Sequence, residues 1–453
     1  MTRELMTSTE LHHMPGKHRF LRRFLMPIIA IVVFAGIHYG NPTVADDIAA
    51  VATIGALVDH GTLAISSLQF LDDQVGIGAL GPDGQLHSKY GIGQVLLGAP
   101  LYMLGRLIPS PPFEVYGVTI AESQNGVLFL LLLNSLMMGV LLWVMQLLIE
   151  EKWGVPGEMA VVAAAFASPL FITARTFGTE LSTAVFLSLA ALACQRKHLA
   201  LGVLFVGVAA LFRPAAIVFA SGWVVLLIHR PWREWVACGA ALLVGIFGIG
   251  LANYVRFGSF LEYGYASSIG FTLQLTGLLG LLASPGRSLI LFVPWVLLMI
   301  PLLMHAIRKR DQLTLGMSLG MLVFIALHAS WREWYGGWSY GPRLLMPIIP
   351  IVAVLVAPWL TRWYAWLLLL VGLFIELLTI KIYPLAVIQN ALESGLSLDQ
   401  TIWSLDSNMI LLQLRSQLVP GNEMSIVIVV IGFLALVVID ILARLKPRSS
   451  KSR

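Results

Sequence analysis

The chain has 453 residues, 58% of them hydrophobic and 12% charged. Soluble chains average about 25% charge, so this composition excludes a soluble globular enzyme and points to a polytopic membrane protein. The formal net charge is +5, carried in short basic clusters between apolar runs, a pattern of membrane topology and not of nucleic-acid binding.

Residues 1–23 are a basic tail containing Lys17, Arg19, Arg22 and Arg23. FLMPIIAIVVFAGI follows without a small-x-small cleavage site, so it reads as an uncleaved first span. Twelve candidate spans follow from the apolar runs: 24–39, 122–149, 158–174, 179–195, 199–212, 214–229, 235–253, 288–305, 312–329, 344–360, 363–380 and 424–442. The fold class expected is therefore all-α, with about twelve transmembrane helices. RKH (196–198), HRPWRE (229–234), HAIRKRD (305–311), TRW (361–363) and the C-terminal RLKPRSSKSR are the basic connections. The positive-inside bias puts them, and both termini, in the cytoplasm. Cys194 and Cys238 lie in or beside apolar runs, which leaves no disulfide framework or zinc pattern.

Residues 40–121 then form one long outer loop. In NPTVADDIAAVATIGALVDHG, the apolar spacing after Asp46 and Asp47 is helical, which predicts an amphipathic helix lying on the membrane surface. The acidic pair reads either as an N-cap or as a functional pair at the bilayer edge. Asp72, Asp73 and the Pro-Asp-Gly turn read as loop chemistry. Lys89, in HSKYGIGQ, either snorkels or supplies a cation to a lipid phosphate. The charge-free stretch from Tyr90 to Gly105 is 16 residues long and rich in glycine. That is about 24 Å of helix, too short for a span, so an interfacial or re-entrant helix is expected.

Further polar residues fall on the same side. Glu180, in RTFGTELS, either caps the fourth span or serves a site. Arg213, in LFRPAA, precedes a proline suited to a helix start and reads as an anchor or a ligand. The apolar part of the next loop, 269–283, is again too short for a span. HASWREWYGGWSYGPR (328–343) gathers His328, Trp334, Tyr335 and Arg343 in one outer loop. An aromatic belt explains part of this. Aromatics with arginine also suit a sugar ring and a phosphate. The last outer loop, 381–423, carries no readable signal.

These residues resemble the GT-C glycosyltransferases, polytopic enzymes that use polyprenyl-phosphate-linked sugars. In particular the chain looks like the bacterial and archaeal relatives of the aminoarabinose and protein O-mannosyl transferases. Asp46-Asp47 matches the acidic pair after the first span, Lys89 the juxtamembrane lysine, and Glu180 the acid at the outer end of a later span. LFRPA, GLLASPGRSLILFVP and WYGGWSYGPRLLMP resemble stretches of less-characterised members. Two departures stand out: Asp47 replaces a common Glu, and HSK replaces the Tyr-Glu-Lys of the aminoarabinose enzymes. The likeness covers most of 24–360 and is weak after 380, which implies a catalytic module over 24–380, an outer loop and last helix over 381–443, and a tail over 444–453.

The resemblance implies sugar transfer to a glycan, lipid or protein acceptor at the outer membrane face, with inversion. Asp46 is implied as general base, with Asp47 and Glu180 orienting the acceptor. Lys89 with Arg213 or Arg343 meets the departing phosphate. Asp46, Asp47 and Glu180 are the candidate ligands if a divalent cation, Mg or Mn, takes part. A transporter or flippase is the alternative class, but no internal repeat and few mid-span ionisable groups support it. A non-catalytic partner role predicts that Asp46 and Lys89 are freely replaceable.

Overall fold

The computed structural model describes residues 16–42, 44–265, 270–272, 274–417 and 423–445. The outer parts of the two basic tails, 1–15 and 446–453, lie outside them. Each of the twelve apolar runs is helical. Four described helices are long and apolar enough to cross a membrane: Gln124–Trp153, Trp232–Phe257, Gln312–Ser330 and Arg343–Leu360. Six shorter apolar helices accompany them, among them Glu180–Gln195 and Leu199–Phe212. Two runs are interrupted at proline, which cannot donate to the helical ladder. Pro169 separates Glu158–Phe166 from Leu170–Thr173, and Pro294 follows the short helix Leu289–Phe292.

The long segment after the first apolar helix is a compact layer. It holds three helices, Ala45–His60, Gln69–Val75 and Ile92–Arg106, and two antiparallel hairpins. Gly78–Leu80 pairs with Leu86–Ser88, and Phe113–Val115 with Val118–Ala121, the second across a register shift at Phe113 and Glu114. The strands are three or four residues long, too short for an alternating pattern to announce them. The mostly helical reading therefore holds, with these hairpins as the exception.

The Ala45–His60 helix corrects an expectation. It is not amphipathic: Asp47 through Gly55 are buried without a break. The Ile92–Arg106 helix and the Val118–Ala121 strand pack on it from different sides. Ile48, Val51 and Ile54 are fully enclosed, each contributing about 1.5–3 kcal/mol of apolar burial. The acidic pair does not cap the helix either, because Val44 is the N-cap and makes no side-chain bond.

Ile92–Arg106 has 15 residues, about 22 Å as a helix, and is too short to cross a ~30 Å hydrocarbon layer. The glycines that weaken it as a span form its packing face. A Cβ at Gly93 would meet the Phe212 ring at 2.7 Å, one at Gly98 the Leu130 side chain at 2.5 Å, and one at Gly105 the Asn125 carbonyl at 2.4 Å. This face seats the helix against the bundle.

In the region 269–283, only Leu275–Ala283 is helical among the described residues. After Trp363–Leu377 the chain leaves helix, and its bare carbonyls are taken by side chains, as a low-dielectric setting demands. Gln413 donates to Leu378 and Ile382, Gln417 to Leu378, and Arg175 to Thr379 and Ile380. The connection before the last helix holds three short helices, Pro384–Glu393, Leu398–Trp403 and Met409–Ser416.

Candidate active site

The acidic residues and arginines read from separate loops meet in one cluster. Asp46 stands in the first turn of its helix. It accepts from the Tyr90 hydroxyl at 2.6 Å and from Arg343 Nη2 at 2.6 Å. The other edge of Arg343, Nε, donates to Glu180 at 2.6 Å, and Arg213 Nη1 donates to the same oxygen at 2.8 Å. Glu180 opens its helix and is buried. Thr179 is the N-cap there, so Glu180 is an ion-pair partner and not a capping residue. Arg343 uses the planar fork of its guanidinium to bridge two carboxylates, a geometry that lysine cannot copy.

The two neighbouring aspartates differ in charge behaviour. Burial opposes charge on Asp46, but Arg343 and the Tyr90 hydroxyl outweigh it and hold its carboxyl below the usual range. Asp47 is buried beside that charge and accepts the Phe177 amide at 3.3 Å. Burial and the repulsion of Asp46 push its carboxyl up to about 7. Paired acids in unlike environments separate in this way, one staying ionised and one becoming a base of near-neutral strength.

Lys89 lies close by, on the segment between the first hairpin and the Ile92–Arg106 helix. Its ammonium donates to the Gly76 carbonyl and stands 4.8 Å from the centre of the Tyr265 ring. Burial lowers its pKa, against the pull of Asp46. Arg256, at the end of the Trp232–Phe257 helix, donates to the carbonyls of Ser88 and Tyr90, both at 2.7 Å, and so clamps the residues flanking Lys89.

Two cavities, with about 440 and 480 Å³ of open space, adjoin the cluster. Asp47, Gly178 and Arg343 line both. The first also has Asp46, Ser88, Tyr90, Gln94 and Arg256 in its lining. The second is aromatic, with Trp338, Tyr340, Tyr383 and Glu180.

The structure does not bring every expected residue to these cavities. Trp334 is core: its ring fills the space where a Gly280 side chain would stand, and it packs against Trp403 and Tyr335 at 5.8 and 5.9 Å. Tyr335 follows it and lines neither cavity. His328 is buried in its helix, its Nδ1 bonded to the Phe324 carbonyl at 2.9 Å. Gly336 and Gly337 have φ of 75° and 69°, a left-handed backbone that glycine adopts without strain. The turn they make separates the inward Trp334 from Trp338, Tyr340 and Arg343, which do line the second cavity. Arg175 is an anchor, donating to Ile37 as well as to Thr379 and Ile380 and lying 4.3 Å from the Tyr39 ring centre.

Sequence reasoning missed Tyr90, Gln94 and Arg256. Tyr90 is adjacent to Lys89, and Arg256 is a lone cation ending an apolar run, so both left a trace. Gln94 left none. Asp46 and Glu180, two of the candidate cation ligands, are paired with Arg343 in this structure. Among the described residues no group of three or more His, Cys, Asp or Glu is arranged to hold an ion, and the Arg343 guanidinium joins Asp46 to Glu180.

No family model and no curated protein matches the sequence. Solved structures do. ArnT from Cupriavidus metallidurans bound to undecaprenyl phosphate matches over 93% of this chain and 71% of its own, with TM-score 0.51 and 15% identity. The apo state of the same protein gives the same values. The archaeal oligosaccharyltransferase AglB from Archaeoglobus fulgidus, in complex with an inhibitory peptide and a dolichol-phosphate, matches at TM-score 0.43 and 12% identity, over 88% of this chain and 56% of its own. The chain thus has an ArnT-like fold, as the sequence resemblance implies, in an integral membrane protein.

Proposed function

We propose that this chain, with its ArnT-like fold and its carboxylate–arginine site, is a glycosyltransferase that moves a sugar from a polyprenyl-phosphate donor to an acceptor at the outer membrane face. Both termini are then cytoplasmic. The observation that carries the reading is the meeting of Asp46, Asp47, Glu180 and Arg343 at two cavities that share Asp47 and Arg343, with Arg213 paired to Glu180 and Lys89 close by, outside the cavity linings.

Asp47 is the base in this scheme, in place of Asp46. A general base works best with a pKa near the operating pH, and Asp47 lies at about 7. The acceptor hydroxyl or amine attacks the anomeric carbon as Asp47 takes its proton. The new bond forms as the bond from that carbon to the phosphate oxygen breaks, and polyprenyl phosphate leaves with the electron pair. A single displacement inverts the anomeric centre. Lys89 and Arg343 face the charge that develops on the leaving phosphate, where preorganised cations act most strongly. Asp46 and Glu180 hold Arg343 in place.

The test is to incubate membranes containing the protein with a panel of radiolabelled polyprenyl-phosphate sugars. The expected result is label moved to an acceptor, with free polyprenyl phosphate released in equal amount. Donors that all stay intact, with the protein present and folded, contradict the proposal.

A further inference from the structure

The connection between Leu170–Thr173 and Glu180–Gln195 carries two parts of the site without regular structure of its own. Its Phe177 amide donates to Asp47, and Glu180 follows it directly. It is tightly drawn: a Cβ at Gly178 would stand 2.3 Å from a Glu180 carboxylate oxygen. Backbone bonds and the Arg175 anchor hold its first half, through the amides of Ala174, Arg175 and Thr176.

Its second half, which carries the Phe177 amide, is held by two fully buried amides. Asn134, on the Gln124–Trp153 helix, donates to the carbonyls of Thr173 and Gly178, both at 2.9 Å. Gln94, on the Ile92–Arg106 helix, donates to the Phe177 carbonyl at 3.1 Å and lies 3.4 Å from Asn134 Oδ1. Gln94 Oε1 accepts from Ser182 at 3.0 Å, just inside the Glu180 helix. The amides are saturated by one another and by the turn. A buried polar network is costly unless fully satisfied, and when satisfied it specifies one arrangement. Apolar residues would fill these positions at less cost if packing were the only requirement.

We infer that Gln94 and Asn134 are positioning residues for the reaction: they hold the Thr173–Gly178 turn so that its Phe177 amide meets Asp47 and Glu180 meets Arg343. This rests on reading Asp47 as the base. Loosening the turn withdraws the Phe177 amide, one of the groups that favour the ionised form of Asp47, so the titration of Asp47 moves to higher pH.

The experiment uses the full chain in detergent micelles. Its primary readout needs no substrate: stability is followed against pH, and the inflection absent from Asp47→Asn is assigned to Asp47. In Gln94→Met this inflection moves up by about half to one pH unit. The acid limb of sugar transfer moves with it, using whichever polyprenyl-phosphate sugar the wild type accepts. Ser182→Ala, a substitution that suits a helix, releases only the far end of Gln94 and gives a smaller shift in the same direction. It serves if Gln94→Met does not fold.

An unmoved inflection in both Gln94→Met and Ser182→Ala overturns the inference. So does a raised KM for the donor with an unmoved inflection, which would make Gln94 a substrate ligand. Absence of sugar transfer in the wild type counts against the proposed function instead, while the inflection still decides the role of the turn.

Discussion

Asp47→Asn is expected to make the protein more stable as it makes it inactive. The wild-type carboxyl has an ordinary value of 3.8 and is pushed up to about 7 in the folded protein. That gap is about 4 kcal/mol, at about 1.4 kcal/mol for each tenfold change in proton affinity. The folded state binds this proton more tightly than the unfolded state, so the contribution of Asp47 to stability falls as pH rises from about 4 to about 7 and is level above that. Asparagine carries no such dependence. The variant should match the wild type near pH 4 and exceed it by up to about 4 kcal/mol at pH 8. Equilibrium unfolding in mixed micelles at several pH values measures the difference. A difference that stays constant from pH 5 to 8, or a variant less stable at pH 8, refutes the reasoning. A gain in stability with loss of activity is the usual mark of a group held in place for function.

Arg343→Met leaves Asp46 and the buried Glu180 without their shared partner and should cost about 3–5 kcal/mol in the same unfolding assay. Arg343→Lys should restore only part of it, because an ammonium cannot bridge both acids; full recovery would contradict the bridging role. Lys89→Gln should lower kcat by about 100- to 1000-fold if the ammonium meets the leaving phosphate, whereas unchanged turnover would make Lys89 a snorkelling residue. Trp334→Ala should destabilise by about 3–5 kcal/mol yet leave kcat/KM of the folded fraction unaltered, since Trp334 lines neither cavity.

Much of the site was legible because the membrane sorts charge. Asp46, Lys89, Glu180, Arg213 and Arg343 are ionisable groups at the ends of apolar runs, and the basic clusters assign those ends to one side. Topology alone then gathers them, and the structure joins four of them by ion pairs. What the sequence hid depends on direction and burial. Trp334 and Trp338 are four residues apart, yet one enters the core and the other a cavity, because Gly336 and Gly337 turn the chain between them. The roles of Asp46 and Asp47 depend on which carboxylate Arg343 reaches, a contact separated by nearly 300 residues of chain. Gln94 is a neutral residue in a glycine-rich run, and its importance exists only in the folded contact with Phe177. The three-residue strands of the first hairpin are fixed by their turn and by the core beneath, with too little length to show a period.

The central claim is sugar transfer with Asp47 as base. Its most direct test is the rate of transfer from the accepted polyprenyl-phosphate sugar, measured from pH 5 to 9 in the wild type and in Asp47→Asn. The account predicts a wild-type rate that falls below pH 7 as Asp47 takes up its proton, and a variant, folded and at least as stable, with transfer lost across the range. A folded Asp47→Asn that transfers sugar at the wild-type rate would contradict it.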